Sequence, residues 1–166
     1  MFLHPFEVAD AALEADARIL LPSALLMCCR EDVQLIVSSG TSGHERAPLC
    51  EANACTILRS RPQLSLFIRD RIVPFAFDLC DMEVQGCRHP GLCSSEKNKW
   101  AVSVEGRNGW VDPFVSFESL PETLCAECTS NAIGSIVSGR KALWNSLPRL
   151  FGIGNDWTEV KEATRL

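Results

Sequence analysis

Between Leu124 and Trp157 the sequence LCAECTSNAIGSIVSGRKALWNSLPRLFGIGNDW joins a Cys-x2-Cys pair to a long helix-forming run and closes on a Leu-Pro, aromatic-rich corner. Pro121 and Glu122 are suited to a first helical turn, so the pattern predicts a helix that starts there and passes through Cys125 and Cys128 to about Ser146. Leu147-Pro148 should end it, because a residue that precedes proline is pushed out of the helical region. Beyond the corner, Asn155 is the expected cap of a short terminal helix. Trp144, Phe151 and Trp157, with Leu143, Leu147, Leu150 and Ile153, read as a segment that folds back to seal a core; an exposed partner-binding surface is the alternative.

The upstream segments are read as support for this stretch. Phe6, Val8, Ala9, Ala12, Leu13 and Ala17 recur at helical spacing behind Pro5, with Glu7, Asp10, Glu14 and Asp16 between them, which predicts an amphipathic helix with an acidic first turn. A second helix begins at Pro22 and turns Leu25, Leu26 and Cys29 inward, and Glu31 to Val37 forms a third apolar piece. SSGTSGHERAP (Ser38 to Pro48) has no periodicity and reads as a loop. From Leu49 to Ser60, Leu49, Ala52, Cys55, Ile57 and Leu58 fit a helix face. Pro62 starts another helix, and Pro74 marks a kink or a stop in its apolar run. VPFAF, residues 73–77, reads equally as a short buried strand, and a minor strand pair would join residues 72–77 to 114–118. His89-Pro90-Gly91 forms a turn, followed by a helix capped at Ser94. The fold class is therefore mainly α: a single-domain irregular helical bundle over residues 1–166, with at most one minor strand pair.

The nine cysteines carry the sharpest chemistry in the sequence. Cys87-x5-Cys93 in a Gly/Pro turn is followed about thirty residues later by Cys125-x2-Cys128 at a helix start. Four thiolates brought within about 3.5 to 4 Å of one another form a closed tetrahedral zinc site, a structural cofactor that ties a loop to a helix. A helix start also lowers a thiol pKa and favours ligation. Cys80 and His89 are the available substitutes. The competing reading is packing, since free cysteine is among the most buried residue types.

Other chemistries find little purchase. A thioredoxin-type role for Cys125-Ala126-Glu127-Cys128 requires a βαβ setting that the preceding residues do not supply. The three histidines, His4, His44 and His89, lie in terminal or loop settings with no nucleophile beside them. GTSGHE is not a nucleophile elbow, and neither SSGTSG nor GRNG is a phosphate loop. No catalytic residue and no enzyme activity are expected. A net charge of -5 and a pI near 5.2 offer no basic field for nucleic acid. No apolar run reaches the length of a membrane span, and the first residues turn acidic with no basic leader. These features predict an intracellular protein, in the cytoplasm or nucleus, that binds neither nucleic acid nor membrane.

The residues Cys125, Cys128, Gly139, Arg140, Trp144, Leu147, Pro148, Phe151, Gly152 and Trp157 together resemble the C-terminal region of fungal BTB/POZ-domain-containing proteins. The segment Ala9 to Cys29, with ILLPSALLMCC at its centre, resembles the part that follows the BTB fold in the same group. The resemblance implies a non-enzymatic protein-interaction or adaptor-type module with a protein partner. It implies no separate BTB/POZ domain, because the mixed β-hairpin and helix of that fold are not in these residues. A small structural zinc protein, its ion held by four cysteines, is the competing expectation.

Overall fold

A computed structural model describes residues 3–37, 49–77, 86–108 and 120–164. The fold is mainly α, with seven α-helices and no strand among the described residues. These are α1 (Pro5–Glu14), α2 (Leu21–Cys28), α3 (Val33–Val37), α4 (Glu51–Phe67), α5 (Pro90–Asn108), α6 (Ala126–Leu150) and α7 (Trp157–Ala163). A π turn, Ile68–Ile72, and a 3-10 turn, Pro74–Ala76, follow α4. No described helix is long and apolar enough to cross a membrane. The chain forms two compact units, residues 1–63 with 144–166, and residues 64–143.

In the first unit α1 starts where the sequence places it. Pro5 occupies the first turn, the Phe6 amide donates to His4 Nδ1 and Glu7 reaches back to the His4 amide, so the free amides of the first turn find acceptors. Phe6, Ala9 and Ala12 are buried. The helix stops at Glu14, short of Ala17, because Asp16 takes a left-handed conformation with φ 49°. The Asp16 and Ala17 amides then donate to Leu13 and Ala12, a Schellman ending. On α2, Leu25, Leu26 and Cys29 are buried as the periodicity requires. On α3 only Ile36 is buried.

Helix α4 departs most from its sequence pattern. Ala52 and Cys55 are exposed, and the inward face runs through Asn53, Ile57 and Ser60. The two polar members are held by distant partners: Asn53 Nδ2 donates to Asp10 Oδ1 at 2.7 Å, and Ser60 Oγ donates to the Leu150 carbonyl at 3.1 Å. Asp10 also accepts from the Cys50 amide at 2.9 Å, so one carboxylate of α1 serves the start of α4. Pro62 does not begin a new helix; it lies inside α4, on an exposed position, where the cost is one missing donor.

Similarly, Pro148 lies inside α6, which continues to Leu150. The end is set instead by Gly152 at φ 69°, with the Gly152 and Ile153 amides donating to Arg149 and Pro148. The aromatic corner does fold back, since Trp157 Nε1 donates to the Trp144 carbonyl at 2.7 Å and the two indoles stack at 4.9 Å. Phe151 and Leu147 are buried there, but Trp144 is 49% exposed and is not core. The cap of α7 is Asp156, which accepts from the Thr158 and Glu159 amides, one residue beyond the expected Asn155.

The second unit is built around a stripe of α6, Cys128, Ala132, Ile136, Gly139 and Leu143, all buried at three- and four-residue spacing. Gly139 permits a close backbone crossing: a Cβ there would collide with the Arg71 carbonyl oxygen and lie 2.7 Å from Ile72 Cα. Residues 73–77 are not a strand. Val73 closes the π turn onto the Ile68 carbonyl, and the 3-10 turn follows at Pro74, which stops the helical run as expected. The proposed pairing segment 114–118, the loop 38–48 and Cys80 lie outside the described residues. Phe75 of the 3-10 turn stacks on Trp100 of α5 at 5.5 Å.

Candidate metal centre

Helix α5 begins earlier than the sequence suggests, at Pro90 instead of after Ser94. The Cys93 amide donates to the His89 carbonyl, closing the first turn, and the inward side of the helix carries Cys93, Trp100 and Ala101. Proline at the first helical position loses nothing, because that amide has no partner in any helix. Just upstream, Gly86 adopts φ 87°, a left-handed conformation that turns the chain into Cys87.

Helix α6 begins later than expected, at Ala126, so Cys125 precedes the first turn and does not lie within it. The Leu124 amide bonds to Pro121, and the Cys125 carbonyl accepts from Thr129. The spacing of two residues then places Cys128 on the first turn directly beside Cys125, with the Cys128 sulfur pointing inward.

The four cysteines singled out from the sequence, Cys87, Cys93, Cys125 and Cys128, come together, their sulfurs all within 4.8 Å of one another. Cys87 Sγ lies 3.6 Å from Cys128 Sγ and 3.8 Å from Cys125 Sγ. Four sulfurs at about 2.3 Å from a central zinc would be about 3.8 Å apart, so these separations are compatible with a tetrahedral four-sulfur metal site. Cys93 and Cys128 are buried with Leu124 in a small cluster, and Cys87 and Cys125 pack on it half-buried. Such a partly shielded setting is compatible with a structural metal. His89 is exposed and not part of the cluster.

The electrostatics also suit thiolate ligation. The Cys125 thiol is drawn down to about 6, first by the Cys128 backbone amide and then, against the effect of burial, by the Arg88 amide and the neighbouring sulfurs. That is the helix-start effect expected from the sequence, delivered by one identified N–H. Burial pushes the Cys128 thiol up to about 12, with the Cys87 and Cys125 sulfurs adding to it and Lys97 opposing it. At Cys93 the Cys125 amide, helped by the Cys128 thiol, favours the thiolate, but burial and the Cys125 and Cys87 thiols outweigh it and the pKa is raised. Four ionised sulfurs cannot share this volume without a cation, whereas a divalent soft metal at their centre would displace the remaining protons. Elsewhere, burial also pushes Cys28 and Cys29 up to about 12, and neither belongs to a cluster of metal-binding groups among the described residues.

Sequence reasoning found the four cysteines that cluster but not their surroundings. The sequence reading gives Leu124, Glu96 and Thr123 no part in the site, although Glu96 lies one helical turn beyond Cys93, and that spacing is the available signal. Comparison with protein-family models, curated proteins and solved structures finds no match. The class is thus defined by the chain itself: a mainly α protein with a compact four-cysteine cluster compatible with a structural metal.

Proposed function

We propose that this chain is a non-enzymatic helical module in which Cys87, Cys93, Cys125 and Cys128 hold one structural zinc ion. The observation that carries this reading is the convergence of four sulfurs from two distant sequence segments to within 4.8 Å. Simple packing explains one or two buried thiols well. It does not favour four thiols against one another, two of them half-buried and one with its pKa drawn down to about 6. Zinc is the natural occupant because four soft thiolates in a tetrahedral arrangement with no open position select it and make the site structural. When bound, the ion would fasten residues 86–93 to the start of α6. Metal analysis of protein purified under reducing conditions should give one zinc per chain. Chelation or Cys125→Ser should lower the melting temperature sharply, because binding free energy at such sites is also folding free energy. Substoichiometric metal with a melting temperature indifferent to chelator would remove the proposal.

A protein-interaction role is the second reading. Its support is the resemblance to the region following the BTB fold in fungal proteins, together with Trp144, 49% exposed and stacked on Trp157. An exposed tryptophan held rigid by a neighbour is a common interface anchor. Trp144→Ala should then release a partner that the unaltered chain retains, and undiminished retention would count against this role.

A further inference from the structure

Beyond the sulfurs and the amides that bond to them, a side-chain hydrogen bond joins the two cysteine-bearing segments without using metal. Glu96 is one turn beyond Cys93 on α5, and Thr123 is two residues before Cys125. Thr123 Oγ1 donates to Glu96 Oε2 at 3.2 Å, while Lys99 Nζ donates to Glu96 Oε1 at 2.7 Å. The Glu96 side chain is only 20% exposed, against 71% for Lys99, so both carboxylate oxygens are engaged on a mostly covered group. We infer that Glu96 and Thr123 are positioning residues of the metal centre, a strap that holds the Cys125-x2-Cys128 segment against α5 so that both ligand pairs meet an incoming ion already in register.

The physical reason is preorganisation. Two ligand pairs that drift apart must be ordered when the ion binds, and that cost weakens affinity; a strap present beforehand removes it. Leu124, buried with Cys93 and Cys128, provides the apolar half of the same clamp. Lys99 fixes one carboxylate oxygen, so the other is presented to Thr123. Outer partners of metal ligands commonly act in this way.

This inference rests on the zinc reading, and the direction of one substitution separates positioning from bulk electrostatics. A zinc ion with four thiolates carries a net negative charge, so removing the Glu96 charge would by Coulomb's law alone tighten binding. Loss of a strap would weaken it. Zinc affinity is measured for the full chain by competition with a chromophoric chelator, for the unaltered protein and for Glu96→Leu, which removes both the charge and the acceptor, Thr123→Val, Thr123→Ser and the Glu96→Leu/Thr123→Val pair. The expected result is about a tenfold loss of affinity for Glu96→Leu and for Thr123→Val, with recovery in Thr123→Ser. The pair should lose no more than either single variant, because both remove the same contact. If the unaltered chain binds one zinc and the variants match it, or Glu96→Leu binds more tightly, the strap is overturned and the zinc reading stands. An unaltered chain that takes up no zinc overturns both.

Discussion

At the level of single residues, the tightest constraint outside the cysteines is Gly139. A helix packs close to another segment only where no side chain intervenes, and here the neighbouring atoms are backbone, which cannot swing aside. Gly139→Ala should therefore destabilise the protein by about 2 kcal/mol or more, even though alanine is the better helix former by about 1 kcal/mol. Chemical denaturation with circular dichroism checks this, and a stabilised Gly139→Ala variant would show that the crossing is looser than described. The opposite case is Gly134 on the same helix, where an added Cβ meets nothing within 4 Å. Sequence alone does not separate the two, because both are glycines in a helical run and the difference lies in what passes behind them. The same limit explains Asn53 and Ser60. Both are polar at inward positions, and each is satisfied by a partner far away in the chain, Asp10 and Leu150. A buried polar residue is tolerable only when such a partner exists, and periodicity carries no record of it.

Among the elements, the beginnings of α1 and α2 are legible in the sequence and the ends of α1 and α6 are not. Pro5 and Pro22 mark α1 and α2, whose buried faces follow the apolar spacing. The prolines at 62 and 148 mislead because the preference against helix before proline is a bias, and a continuous helix overrides it for the loss of one hydrogen bond. The real stops of α1 and α6 are two Schellman endings, with Asp16 and Gly152 at the left-handed position. Glycine enters that conformation freely, whereas aspartate is strained there. Asp16→Gly should raise stability by about 0.5–1 kcal/mol, since the exposed Arg18 pairing it gives up contributes little. A thermal melt of the variant is the check, and a drop in melting temperature would mean that the Asp16 side chain contributes more than its conformation costs.

For the whole molecule, composition and periodicity were sufficient to place the chain in the mainly α class, because most helices bury a regular stripe. They were also sufficient to select Cys87, Cys93, Cys125 and Cys128, because paired cysteines in a turn and at a helix start are the two settings that present thiolates to a common point. What stayed illegible was how those pairs are framed. The starts of α5 and α6 each differ from the sequence pattern by several residues, and the Glu96–Thr123 contact depends on side chains 27 positions apart. The central claim is that these four sulfurs share one ion. X-ray absorption at the zinc edge, on protein loaded with one equivalent of zinc under reducing conditions, tests it most directly. The account predicts a single shell of four sulfur atoms at about 2.3 Å. A shell dominated by nitrogen or oxygen, or zinc that washes away at one equivalent, would contradict it.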